Sequence, residues 1–112
     1  MGSSQRRDAT KAVSLPLIVR EAAQEDIREA VDWYEHRSTG LGGQFLDRLD
    51  ACLSLVARNP ELFPEVHRRL RMAVLQRFPY LVIYRVTPEF ISVVAVIHGS
   101  RHPRRWKGRR DE

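Results

Sequence analysis

At 112 residues the chain has the length of one domain, with room for one helix-on-sheet core and none for a second. Its single cysteine, Cys52, excludes an internal disulfide and a cysteine-built zinc site. No apolar run approaches the ~18 residues of a membrane span and no signal-peptide core follows the N-terminal arginines, so a cytoplasmic protein is expected.

The net charge of +5 hides an asymmetry. Residues 21–65 hold ten acids against four arginines, a net of −6, whereas residues 66–110 hold eleven Lys and Arg against Glu89 alone, a net of +10. A chain split this way is a dipole whose cationic half suits an anionic partner.

Residues 1–14, MGSSQRRDATKAVS, hold no apolar period; they are expected to be disordered, their MGSS in part an added leader. The run LPLIVRE (15–21) reads as a first strand. A helical period follows, with Ala23, Ile27, Ala30 or Val31, and Tyr34 on one face and Glu25, Arg28, Glu29, Asp32 and Glu35 on the other. The entry at Glu21–Ala22 lacks a preferred N-cap residue. Gly40, Gly42 and Gly43 interrupt the pattern. A second stripe then runs through Leu41, Phe45, Leu49, Cys52 or Leu53, and Val56, and the Asn59–Pro60 pair ends it. Two amphipathic helices with a Gly-rich joint predict an antiparallel hairpin. GLGG lies between helices rather than after a strand, so it reads as a joint and not as a phosphate loop. Cys52, inside the stripe, reads as a small core hydrophobe.

Beyond a Pro-containing loop the period changes to two. RLRMAVLQRF (69–78), YLVIYRV (80–86) and ISVVAVIH (91–98) predict three strands of an antiparallel meander. The predicted order is β-α-α-β-β-β, an α+β fold with the helical hairpin packed on one face of a small, mainly antiparallel sheet. If the turns are two-residue loops at Phe78–Pro79 and Pro88–Glu89, then Leu70, Met72, Val74, Leu81, Ile83, Val94 and Val96 face the helices. Tyr80, Val82, Tyr84, Val93 and Ala95 then share the open face with Arg69, Arg71 and Arg77. Three arginines and nearby tyrosines on an open sheet can hold phosphates and stack bases, and the same arginines can equally lay their stems over apolar sheet.

The end of the last strand, VVAVIHGSRHPRRW (93–106), leads β-formers into His98, Arg101, Arg104, Arg105 and Trp106. His98 and Arg101 are expected to be held by the sheet, and residues 104–112 to form a basic tail, of which 104–110 trail as a mobile cationic arm. His36, His67, His98 and His102 show no ligand spacing with carboxylates, so no metal and no cofactor is expected. The chemistry left open is acid–base cleavage of an anionic substrate. His98 would act as base there, with Arg71, Arg85 and Arg101 stabilising charge.

The pieces WYE, GLGGQF, NPELFPEV, FPYLVIYRV and VVAVIHGSRHPRRW together resemble the RelE/ParE superfamily of toxins from bacterial type II toxin–antitoxin modules. Within it they look most like the ParE-like branch, also called plasmid-stabilisation proteins. The resemblance spans residues 15–106 and places the toxin domain at 15–103. Its most telling parts are FPY-x-x-x-YR (78–85) and the strand end carrying His98, Arg101, Pro103 and Trp106. It implies a growth-inhibiting toxin neutralised by a cognate antitoxin whose C-terminal segment wraps it in a hetero-oligomer. The ParE type implies a DNA gyrase inhibitor that is not an enzyme, in which Arg69, Arg71, Arg77, Tyr84, Arg101, Arg104, Arg105 and Trp106 would contact the target or nucleic acid. The alternative, a RelE-like endoribonuclease acting on ribosome-bound messenger RNA, would use His98, Arg101, Arg71 and Arg85 as its catalytic set. RelE-type nucleases commonly place a tyrosine or another general base near the C-terminus. This chain has no tyrosine beyond Tyr84, and the hairpin with Trp33–Tyr34 also looks more like the ParE branch.

Overall fold

The computed structural model describes residues 15–100 and Arg109. In chain order the elements are β1 (Leu17–Val19), α1 (Glu21–Arg37), α2 (Leu41–Arg58), β2 (Glu65–His67), β3 (Leu70–Val74), β4 (Tyr80–Val86) and β5 (Ile91–His98). The strands form one sheet in the order β1-β5-β4-β3-β2, antiparallel except for the parallel β1–β5 pair. This is the α+β arrangement expected from the periodicities, with β2 added between the helices and the meander.

The helical joint explains its glycines. Gly40, the N-cap of α2, sits in the left-handed region at φ 90°, where a side chain is strained. Gly42 lies where α2 crosses α1: a Cβ there would come within 2.9 Å of the Val31 carbonyl oxygen. Glu35 of α1 reaches over the joint, its carboxylate accepting the Gly40 N–H at 2.8 Å and the Gly42 N–H at 2.9 Å. These are orphan amides of the first turn of α2, so a residue of the preceding helix caps the next. The two hydrogen bonds hold the Glu35 carboxyl below its ordinary pKa. Helix α1 has no such device at its own start, where Arg20 provides no side-chain cap.

One face of the sheet carries the helices. Ala23, Ala30, Tyr34, Phe45, Leu49 and Val56 pack there against Ala73, Phe78, Val82, Tyr84, Val93 and Val96. Four rings join the layers: Tyr34 stacks on Phe45 at 5.5 Å, while Phe78 meets Tyr34 at 4.9 Å and Phe45 at 5.4 Å. Tyr80 completes the group at 5.0 Å from Phe45. A second cluster, Leu70, Ile83, Val94, Ala95 and Ile97, lies on the opposite face of the sheet.

This inverts most of the face assignment expected from two-residue loops. Strand β3 ends at Val74 and pairs Val74 with Leu81, so the β3–β4 connection is longer than Phe78–Pro79 alone. The longer loop shifts the pairing by two residues, which preserves parity, so Leu70, Met72, Val74, Leu81 and Ile83 still share one face, but the helices cover the other. Leu70, Met72, Leu81 and Ile83 therefore face away from the helices, and Val82 and Tyr84 face them. The second turn is as short as expected: Thr87 pairs with Phe90 around Pro88–Glu89. A bulge follows, because Tyr84 pairs with Val93 and Ile83 with Ala95, leaving Val94 without an opposite residue. Val94 and Ala95 consequently lie on the same face, and Val96 returns to the helices.

The joint separates two neighbouring glycines. Gly42→Ala should destabilise the fold by about 1–3 kcal/mol, because the helices must part to admit a methyl group. Gly43, with nothing within 4 Å of an added Cβ, should accept alanine and gain about 0.5–1 kcal/mol from helix propensity. Denaturant midpoints of the two variants check both signs. Glu35 adds an acid sensitivity: its folded pKa lies below the unfolded one, so its contribution is present at neutral pH and is lost as pH falls through the carboxylate range. Glu35→Gln should flatten that part of the stability-against-pH curve measured between pH 7 and pH 3.

Candidate functional site

The cations predicted from sequence are spread over the sheet rather than gathered. Arg69 is not on a strand; with Arg68 it forms the tight β2–β3 turn, both residues in the left-handed region at φ 69° and 47°. Such turns match the twist of a hairpin, although Gly and Asn are the usual occupants. Arg77 lies in the β3–β4 connection at φ 74°. The expected set Arg69, Arg71 and Arg77 therefore shares no face, because only Arg71 belongs to β3.

Arg71 stands on the helix-facing side opposite Tyr84. Its guanidinium donates to the Phe63 carbonyl at 2.5 Å and the Glu61 carbonyl at 3.4 Å, tying down the loop after α2. Tyr84 is fully buried instead of lying on an open face, and its hydroxyl donates to the Pro60 carbonyl at 2.7 Å. Burial pushes its phenol up to about 12, so it keeps its proton at neutral pH. Arg85, next along β4, points to the other face opposite Ser92. Burial likewise pushes the Cys52 thiol up to about 11, which leaves it un-ionised.

His98 occupies the far end of the sheet, paired with Tyr80, whose ring it meets edge-on at 5.4 Å. Tyr80 and Tyr84 are four residues apart on β4, so Arg71 lies roughly 13 Å further along the strands than His98. The Ser100 amide donates to His98 Nδ1 at 3.1 Å. An amide can only donate, so Nδ1 presents its lone pair and the ring proton resides on Nε2. The Ser100 hydroxyl lies 2.8 Å from the same nitrogen. The one basic nitrogen of His98 is thus already engaged. A cavity of about 400 Å³ opens beside it between α1 and β5, lined by Asp26, Glu29, Trp33, Tyr80, His98 and Ser100 among others. Trp33 is 53% exposed, with the Arg37 guanidinium 4.7 Å from its ring centroid.

Asp26 was not distinguishable by residue type, but it falls beside the apolar stripe of α1, which marks it as an acid turned inward. Strand β1 accompanies β5 only as far as Val93, so among the described residues no strand pairs with the outer edge of β5 beyond that point. Asp26 Oδ2 accepts the Val96 N–H at 3.0 Å. Arg109 then clasps the same carboxylate at 2.6 and 3.2 Å and donates to the Val94 carbonyl at 3.0 Å. Both side chains are largely shielded, 21% and 11% exposed. Arg109 is therefore not part of a trailing arm. Arg101, Arg104, Arg105 and Trp106 lie outside the described residues. Among the described residues no group of three or more His, Cys, Asp or Glu side chains could hold a metal ion, and no helix is long and apolar enough to cross a membrane.

Comparison with known proteins gives consistent findings. Residues 17–103 match the family described as ParE toxin of type II toxin-antitoxin system, parDE. Toxin ParE2 of Mycobacterium tuberculosis, in strains CDC 1551 / Oshkosh and H37Rv, is 30% identical over 92 residues, covering 78% of this chain and 84% of the relative. A solved structure described as the chromosomal ParDE TA system from P. aeruginosa superposes with a TM-score of 0.68 at 15% identity. It covers 76% of this chain and 96% of that one, and so shares the fold.

The Asp26–Arg109 clasp should be measurable on its own. Arg109→Ala leaves a shielded carboxylate with one amide donor and should cost about 1–3 kcal/mol in chemical denaturation. It should also speed hydrogen exchange at the Val96 amide, whereas a solvated tail residue would change neither.

Proposed function

The chain belongs to the ParE toxin family of type II toxin–antitoxin systems, and on that footing we propose that it arrests growth by inhibiting DNA gyrase in the cytoplasm, held in check by a cognate antitoxin. What carries this reading against messenger-RNA cleavage is the dispersal of the candidate catalytic set. Arg71 and Arg85 face opposite sides of the sheet, and Arg71 is committed to the Phe63 and Glu61 carbonyls. His98 stands at the other end with its basic nitrogen bonded to Ser100. Cleavage at a 2′-hydroxyl needs base and cations within reach of one phosphate. A binding toxin needs no such convergence, only a rigid scaffold that presents contacts on its rim.

The antitoxin half of the proposal draws on the family and on the ParDE assembly named for the P. aeruginosa structure. Its chemistry follows from the charge of this chain: a strongly cationic second half calls for an acidic or amphipathic segment that orders on binding.

Induction of the chain in cells, followed by plasmid supercoiling, chromosomal break and transcript-end analysis, separates the readings. Altered supercoiling and double-strand breaks with intact translated messages are expected. Cleaved messages with normal supercoiling would establish the nuclease instead. His98→Ala should leave growth arrest within a few-fold of wild type, whereas a nuclease using it as base would lose roughly 10²–10⁴-fold in rate.

A further inference from the structure

A second cavity, of about 660 Å³, lies on the other side of the aromatic group, between α2 and the β3–β4 connection. One wall is a helical stripe of Leu41, Gln44, Arg48 and Ala51, flanked by Asp47; the other is Arg77 with Phe78. Arg48 is half-buried and Arg77 exposed. Neither makes a hydrogen bond or ion pair among the described residues. Two guanidiniums line one cavity with a single carboxylate, Asp47, and neither is paired with it, which leaves the cavity a net cation able to take an anion.

Arg77 adds an independent sign. Its backbone is in the left-handed region at φ 74°, which an L-residue adopts at a cost and which glycine or asparagine would occupy more easily. The conformation is imposed from both sides. Phe78 is sunk between Tyr34 and Phe45, and Leu75 N–H closes the loop onto the Tyr80 carbonyl. The fold thus holds an arginine at a position where its own backbone gains nothing from one.

We propose that the Arg48–Arg77 cavity is an anion-recognition site for a carboxylate of the antitoxin, borne on an acidic amphipathic segment. This rests on the antitoxin reading above and names the chemistry by which one part of the toxin would recognise it. A phosphodiester backbone fits the cavity less well, since it offers nothing to the apolar Leu41, Ala51 and Phe78 and no donor to Asp47. A peptide supplies an apolar side chain for that floor, a carboxylate for the arginine fork, and backbone N–H groups for Asp47 and Gln44.

The test uses the full chain and its full-length cognate antitoxin, titrated at ~0.15 M and at higher salt. Arg77→Gly should melt at or above the wild-type temperature, because it releases the left-handed strain. It should nevertheless lose roughly 10- to 100-fold in antitoxin affinity, with a shallower salt dependence. Arg48→Gln should fall in the same range, and Arg77→Lys should recover part of the loss. Wild-type affinity in both Arg77→Gly and Arg48→Gln overturns the site while leaving the antitoxin reading intact. Failure of the wild-type chain to bind the antitoxin at all overturns that reading, and the site with it. Loss of growth arrest in Arg77→Gly at undiminished antitoxin affinity would overturn the proposal by assigning the cavity to the toxin's target.

Discussion

The contact on which the rest of the molecule depends is the group of four rings formed by Tyr34, Phe45, Phe78 and Tyr80. Each ring comes from a different piece of chain: α1, α2, the β3–β4 connection and β4. Aromatic side chains bury large areas and prefer edge-on or offset geometry, so four of them meeting at 4.9–6.0 Å fix the hairpin against the sheet in position and in angle. The same rings shape the surface. Tyr80 forms part of the wall beside His98, and Phe78 anchors the turn that presents Arg77. Both candidate cavities are therefore borders of one packing event.

The bulge at Val94 is the second organising feature. It puts two consecutive residues of β5 on the outer face and returns Val96 to the helices. It coincides with the stretch of edge that β1 is too short to cover, where Asp26 and Arg109 meet the exposed backbone groups. Buried backbone donors and acceptors must be satisfied somewhere, and here an acid on a helix accepts from the Val96 N–H while a distant arginine donates to the Val94 carbonyl. The charge asymmetry of the chain thus has an internal use: one acid of the anionic half holds one cation of the basic half.

Placement of charge also separates structural from available arginines. Arg71 secures a loop, Arg109 secures an edge, and Arg20 bonds Ser92 while lying over Phe90. The side chains of Arg48, Arg58, Arg68, Arg69 and Arg77 make no hydrogen bond or ion pair among the described residues. Three of these five hold left-handed backbone, the only non-glycine residues described that do. Strain of this kind persists only where surrounding packing over-determines the backbone, and it marks positions that stability alone does not explain. A cation on so rigid a turn would lose little freedom on binding an anionic partner.

Local periodicity was enough to determine the two helices, the meander, the Gly-rich joint and the family, because each depends on spacing within a few residues or on short motifs. The extent of β4 and β5 and the short turn at Pro88–Glu89 were readable for the same reason. Which face of the sheet meets the helices was not, since alternation groups residues of one parity without saying which group is covered, and in β5 a one-residue bulge puts Val94 and Val96 on opposite faces. The covered face is the one that carries Tyr84, and the apparent row of Arg69, Arg71 and Arg77 dissolves because Arg69 and Arg77 lie in turns outside β3. The pairing of Asp26 with Arg109, 83 residues apart, was equally beyond reach of the sequence. Only the tertiary structure could decide it, because the helix that carries one and the edge that receives the other become neighbours only when the sheet has closed around β5.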